Sequence, residues 1–332
     1  MARDSTKLRL TRFVASVATL AMFSCCGGAT RPPTDAVAAA PSTTEEETVP
    51  TEFDLRSFVC ELSGQRVLPE ERAQAREIIG RELRHIGLVP QEHVYGDGRA
   101  VYYPQPEFTP ATGNLHGVNL YAELSATVTT NDWLVVGAHY DTFEGTPGAD
   151  DNASGVAAVL LTAHRLVRLS ERRMNVMFAF FDQEEQMLVG SERFALMLSA
   201  SGRRIVTVHN IDMVGWDSDR NRRTVLMHGV FRDSPLDDRY MRLYGNSIMF
   251  MSAEPDREIV PNGIVRENTN RGEHTSFEMH GIDAVTLIEE TPEHGDFNPY
   301  YHGRGDTCER LDYDFLRICA DIVTTAVSEQ LR

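Results

Sequence analysis

Cysteine is scarce in this chain. Of 332 residues only five are cysteine, and Cys25 and Cys26 stand side by side near the start. The remaining three, Cys60, Cys308 and Cys319, lie far apart and make no zinc-type cysteine pattern. One disulfide with one spare thiol suits an oxidising compartment, but the spacing does not choose the pair. Basic charge is also short. Against 49 Asp and Glu stand 32 Lys and Arg, a formal net charge of -17. That deficit argues against electrostatic binding of nucleic acid or an anionic membrane surface. It suits solubility and cationic ligands, including metal ions and free amines. Long apolar runs are missing too. The run Phe13 to Phe23 falls well short of the ~20 residues that a membrane-spanning helix needs. No internal repeat is visible.

What is present divides the chain into three. Arg3, Lys7, Arg9 and Arg12 accompany the short apolar run, so residues 1–24 read as an export signal. Ser24-Cys25 then resembles a lipoprotein cleavage site, with Cys25 as the lipidated residue. Met22 and Phe23 match such a site poorly, which leaves plain secretion and an uncleaved anchor open. Residues 25–52, rich in Gly, Ala, Thr and Pro with Glu45-Glu46-Glu47, have little to bury and read as a disordered tether. Residues 53–332 are expected to form one domain.

Within that domain, strand and helix patterns alternate. Pro69 to Ile86 predicts an amphipathic helix, with proline at its first position and Gly87 as its stop. Helices are also expected over Ser154 to Leu169, Ser191 to Leu198 and Asp312 to Leu331. Strands are expected over Val118 to Leu124, Trp133 to Ala138, Val176 to Phe181, Ile205 to Ile211, Thr224 to Val230 and Ala284 to Ile288. The class implied is α/β: a mostly parallel central sheet, mixed at its edges, flanked by helices on both faces. Phe250 to Gly281 has weak periodicity and reads as a long loop over the sheet edge.

Five segments share one design, an apolar or structured run that ends abruptly in metal-capable groups. They are His139-Tyr140-Asp141, Asp150-Asp151-Asn152, Asp182-Gln183-Glu184-Glu185, Asp212 after Val206 to Ile211, and Tyr301-His302 with Asp306. In open α/β sheets, ligands gather outside the carboxyl ends of the strands. If Glu184 and Glu185 remained extended, their side chains would point opposite ways, one to a metal and one to a reacting water. Asp141, two residues past His139, would fall on the same side and orient the imidazole. Singly, each segment is as well explained by a cap, a turn or a structural histidine. Together they offer oxygen and imidazole donors without thiols, a mixture suited to zinc, manganese or cobalt.

The ordered motifs HYDT at His139, GADDNASG at Gly148, FFDQEE at Phe180, NIDMVG at Asn210 and YHGRGDT at Tyr301 resemble those of secreted bacterial di-zinc aminopeptidases. That family is related to glutamate carboxypeptidase and glutaminyl cyclase. The resemblance implies a zinc-exopeptidase domain in which Asp151 bridges two Zn2+ ions. His139 and Asp212 would complete one site, Glu185 and His302 the other. It implies Glu184 as general base, Tyr301 as a hydroxyl assisting the oxyanion, and a cis peptide after Asp151. Asp306 would fix the loop behind His302. The three ligand carboxylates leave one positive charge on two divalent ions, which a metal-bridged hydroxide would neutralise. The implied reaction is removal of N-terminal residues from peptides with a free N-terminus. A one-zinc glutaminyl cyclase, a carboxypeptidase and an inactive binding module are the alternatives. Two departures stand out: Gly303-Arg304-Gly305 after His302, with Arg304 expected to face water, and Glu273-His274 where relatives often carry Asp-His.

Overall fold

The computed structural model describes residues 53–98, 115–229, 235–252 and 263–332; the expected signal and tether lie outside them. The first half runs α1 (Leu55–Leu62), α2 (Pro69–His85), β1 (Gln91–Gly98), β2 (Leu115–Leu124), β3 (Asp132–His139), α3 (Gly155–Leu166), β4 (Asn175–Phe181) and α4 (Val189–Ala200). The second runs β5 (Arg204–Ile211), β6 (Thr224–His228), α5 (Pro235–Ser252), β7 (Ile264–Asn268), α6 (His274–Met279), β8 (Ala284–Ile288) and α7 (Tyr313–Leu331).

All the strands join one sheet in the order β1-β2-β4-β3-β5-β8-β6-β7. Its centre, β4-β3-β5-β8, is parallel, while β1, β2 and the β6–β8 pairing introduce antiparallel neighbours. Both faces of this centre are buried, which is why its strands read as unbroken apolar runs. On one face Leu134, Val136, Phe178 and Phe180 pack with α1, α2, α3, α5 and α7. On the other, Val135, Met177, Ala179 and Phe181 meet Phe194 of α4 and Phe277 of α6. The two-residue alternation of a strand thus serves two helical layers.

Local chemistry fixes the helix ends. Glu71 accepts from Val67 N and Leu68 N at 2.9 and 2.8 Å and closes the start of α2. Asp312 caps α7 by accepting from Asp314 N and Phe315 N. Its apolar face, Leu316, Cys319, Ile322, Val323 and Val327, is buried. A disulfide joins Cys60 of α1 to Cys308, just beyond the His302 loop, with Cα atoms 5.2 Å apart. Cys319 remains a buried free thiol.

The stretch Phe250 to Gly281 departs from its expected form. It contains the end of α5, strand β7 and helix α6; residues 253–262 lie outside the described ones. β7 is a short outer strand with only partly buried residues, so it carries no apolar run to betray it. α6 is a single buried turn and a half, too short to show a period.

Candidate metal centre

The parallel strands of the sheet's centre end along one edge, and neighbouring strands lie only ~4.8 Å apart. His139 is the last residue of β3 and pairs with Phe181, the last of β4. Asp212 directly follows β5. Asp151 lies in the turn before α3, and His302 in the loop between β8 and α7. Side chains remote in sequence are thereby delivered to one place.

There His139 Nε2 lies 3.2 Å from Asp151 Oδ1 and 3.4 Å from Asp212 Oδ1. His302 Nε2 lies 3.3 Å from Asp151 Oδ2 and 3.1 Å from Glu185 Oε2. Two trios result, His139-Asp151-Asp212 and Asp151-Glu185-His302, the donor atoms of each lying within 4.8 Å of one another. Asp151 belongs to both and turns one oxygen to each. Asp150 is turned away: its two oxygens accept from Gly215 N and Asn298 Nδ2, both at 2.8 Å. The peptide between Asp151 and Asn152 is cis. Asn152 does the capping, accepting from Gly155 N and Met213 N and donating to Ile211 O.

The Glu184-Glu185 segment is not extended. The strand ends at Phe181, and Gln183 takes a left-handed conformation with φ 55°. Both carboxylates therefore sit on a turn, and strand alternation does not set their directions. Asp141 organises that turn. It lies 3.3 Å from His139 Nδ1 and accepts from Glu184 N and Glu185 N at 3.0 and 3.3 Å. Asp306 accepts from Asp150 N and Asp151 N at 2.8 and 3.1 Å, so it ties the His302 loop to the Asp151 turn.

Arg66 plays a supporting part that no motif in the sequence marks. Its buried guanidinium donates to the carbonyls of Tyr140, Leu62, Gly64, Pro147 and Gly148, and so braces the loop between His139 and Asp151. Burial lowers it to about 10. No local pattern marks it, because every partner is a backbone carbonyl. His274, beside Glu273, has both ring nitrogens engaged by Thr286 and Thr269 and serves the fold. Arg304 is exposed. Tyr301, half exposed, stacks on His302 with centroids 3.8 Å apart.

The electrostatics favour a cation. Burial, then the neighbouring Asp151 charge, pushes Glu185 up to about 7. Burial likewise pushes Glu273 to about 8 and raises Glu184 well above the carboxylate range, with neighbouring carboxylates adding to both. Burial alone would raise Asp151, but His139 and His302 hold it below its ordinary value. Glu185 Oε1, Asp212 Oδ1 and His302 Nε2 are buried without a hydrogen bond. Each such atom costs about 1–3 kcal/mol, a cost that metal coordination removes. Donor types, shared carboxylate and orphaned atoms all fit a pair of divalent ions. A further acidic group, Asp217-Asp219-Asp296, does not need one. Asp296 accepts from Trp216 Nε1, Ser218 and Asp219 N, and Arg222 pairs with Asp217.

A mostly parallel sheet with His, Asp and Glu trios at its carboxyl edge defines an α/β protein with a candidate metal centre around a shared carboxylate. The chain belongs to Peptidase family M28, whose model matches residues 119–327. Aminopeptidase YwaD of Bacillus subtilis is 28% identical over 202 residues, 60% of this chain and 42% of that protein. The probable lipoprotein aminopeptidase LpqL of Mycobacterium tuberculosis is 26% identical over 251 residues, 67% of this chain and 47% of that one. The chain thus spans about half the length of these relatives. Among solved structures, a zinc aminopeptidase from Bacillus subtilis matches with TM-score 0.70 over 84% of this chain and 94% of that chain, at 17% identity. A Porphyromonas gingivalis glutaminyl cyclase gives 0.65 over 83% and 97%, at 18% identity. These two likenesses establish the fold.

Proposed function

We propose that this protein is a zinc-dependent aminopeptidase that hydrolyses N-terminal residues from peptides. The observation that carries this reading is the Asp151 carboxylate, with one oxygen facing each ligand trio. His139, Asp151 and Asp212 would hold one ion; Asp151, Glu185 and His302 would hold the second. Bound there, the zinc ions supply Lewis-acid polarisation of a carbonyl and a lowered water pKa. Glu184 is the proton carrier. Its backbone N is pinned by Asp141, and its carboxyl shares the pocket with His139, Glu185 and Asp212. It takes a proton from the attacking water and returns it to the leaving amine. Tyr301, beside His302, offers a hydroxyl to the developing oxyanion. The acidic surroundings attract the substrate's ammonium group.

The family membership and the names of the relatives support peptide hydrolysis from the N-terminus. Residues 1–24 and Cys25 are proposed to export and anchor the chain, in keeping with the lipoprotein description of the mycobacterial relative. Residues 25–52 are proposed as the tether and residues 53–332 as the catalytic domain. The test is a set of matched peptides with free and N-acetylated termini, followed by mass spectrometry. Free-amine peptides should lose their first residue and acetylated ones should persist. Equal cleavage of both rejects the aminopeptidase reading. Ring closure of N-terminal Gln with release of ammonia, by a protein holding one zinc, establishes the cyclase instead.

A further inference from the structure

We infer that Phe143 is a positioning residue for His302, holding the imidazole by ring stacking where His139 is held by a carboxylate. The inference rests on the metal-centre reading above. Asp141 lies beside His139 Nδ1 at 3.3 Å, the usual way of fixing a ligand imidazole. Among the described residues His302 has no such carboxylate. Its Nε2 faces Asp151 and Glu185, and no described residue hydrogen-bonds its Nδ1.

An aromatic clamp stands in that place. Phe143 lies flat on the His302 ring, with centroids 4.1 Å apart and planes at 9°. Tyr301 covers the opposite face at 3.8 Å and 22°. The ring torsion of histidine is broad and roughly two-fold, so an unsupported imidazole can turn its Nε2 away from a ligand position. The backbone of His302 is left-handed, with φ 53°, and sets only where the ring begins. Stacking on both faces fixes the plane.

Phe143 is a sharper test than Tyr301, which adjoins His302 in the chain and carries a proposed hydroxyl role. Phe143 comes from the other side of the site. Thr146 anchors its backbone, N and Oγ1 both donating to Phe143 O at 3.3 and 3.1 Å. The side chain remains 42% exposed, so core packing does not account for its position. It reaches from the loop after β3 to the His302 ring and touches only the trio that contains His302.

The experiment compares wild-type full chain with Phe143→Ala, Phe143→Leu, Phe143→Tyr and His302→Ala, all loaded with zinc. Each is dialysed against graded chelator, and retained zinc is counted by mass spectrometry. Phe143→Ala is expected to surrender one of its two ions about 3- to 10-fold more readily, the ion that His302→Ala lacks. The other ion should be held as in wild type. Phe143→Leu, which keeps apolar bulk without a planar ring, should behave like Phe143→Ala and guards against a packing defect. Phe143→Tyr should restore retention. Wild-type retention by the Leu variant, simultaneous loss of both ions, or no recovery with Tyr overturns the inference. A wild-type protein that never holds two ions refutes the metal-centre reading itself, a result visible before any variant is compared.

Discussion

Asp151 is proposed as the shared ligand because a carboxylate has two oxygens and this one turns each to a different imidazole. Its neighbour Asp150 has the same chemistry but spends both oxygens on Gly215 and Asn298. The choice between them in the sequence came from resemblance; the hydrogen bonds give its physical reason. Ligand types at strand ends were legible because polarity switches abruptly where an apolar strand emerges. The reach of Asp141 to the Glu184 and Glu185 amides was not legible, nor was the grip of Arg66 on five carbonyls. Both depend on backbone partners, many of them distant in the chain, that leave no side-chain pattern. Glu184→Gln should retain the zinc of wild type and lose turnover by about 10²–10⁴-fold. Parallel metal counting and peptide hydrolysis check it; near-normal turnover removes Glu184 from the proton path.

Elements with a long period were the readable ones. α2 and α7 repeat an apolar face over several turns and end on Pro, Gly or Asp signals, so their bounds fall within a residue of expectation. α1 spans eight residues and β1 reads Gln-Glu-His-Val-Tyr-Gly-Asp-Gly, a polar outer strand paired only with β2. Neither presents enough periodic residues to be seen. β7 and α6 were hidden within an expected loop for the same reason. The junction of α3 with the end of β5 leaves no room for a side chain at Gly155. A Cβ on Gly155 would fall 2.2 Å from Asn152 Oδ1 and 2.6 Å from Ile211 O. Gly155→Ala must therefore push α3 off the Asp151 turn. It is expected to lower stability by roughly 1–3 kcal/mol and to weaken zinc retention. Thermal melts and chelator dialysis measure both, and a variant matching wild type in each shows that the junction yields without cost.

Across the whole molecule the acidic excess matters most where it is buried. After zinc removal by chelator, Glu185 at about 7, Glu273 at about 8 and Asp306 at about 7 stand above ordinary values of 4.5, 4.5 and 3.8. Burial is the leading cause in each. These groups hold more protons in the folded than in the unfolded chain from about pH 4 to 8, so their contribution to stability falls as pH rises through that window. His164 and His274 at about 4 and His209 at about 3, lowered by burial, act with the opposite sign up to about pH 6.5. His302 is raised from 6.5 to about 9 because Asp151 and Glu185 overcome burial, and its contribution is also lost on the alkaline side. Asp151 acts with the opposite sign, below its ordinary 3.8 and outside this range. The melting temperature of the stripped protein should thus decline from pH 6.5 to pH 8.5, and zinc should flatten that slope. A stripped protein that gains stability toward pH 8 contradicts this electrostatic picture.

The most direct measurement is an anomalous difference map at the zinc edge from crystals of the purified protein. Two peaks about 3.5–4 Å apart, sharing Asp151, with His139 and Asp212 on one and Glu185 and His302 on the other, are predicted. A single peak, or zinc bound away from these side chains, would contradict the account.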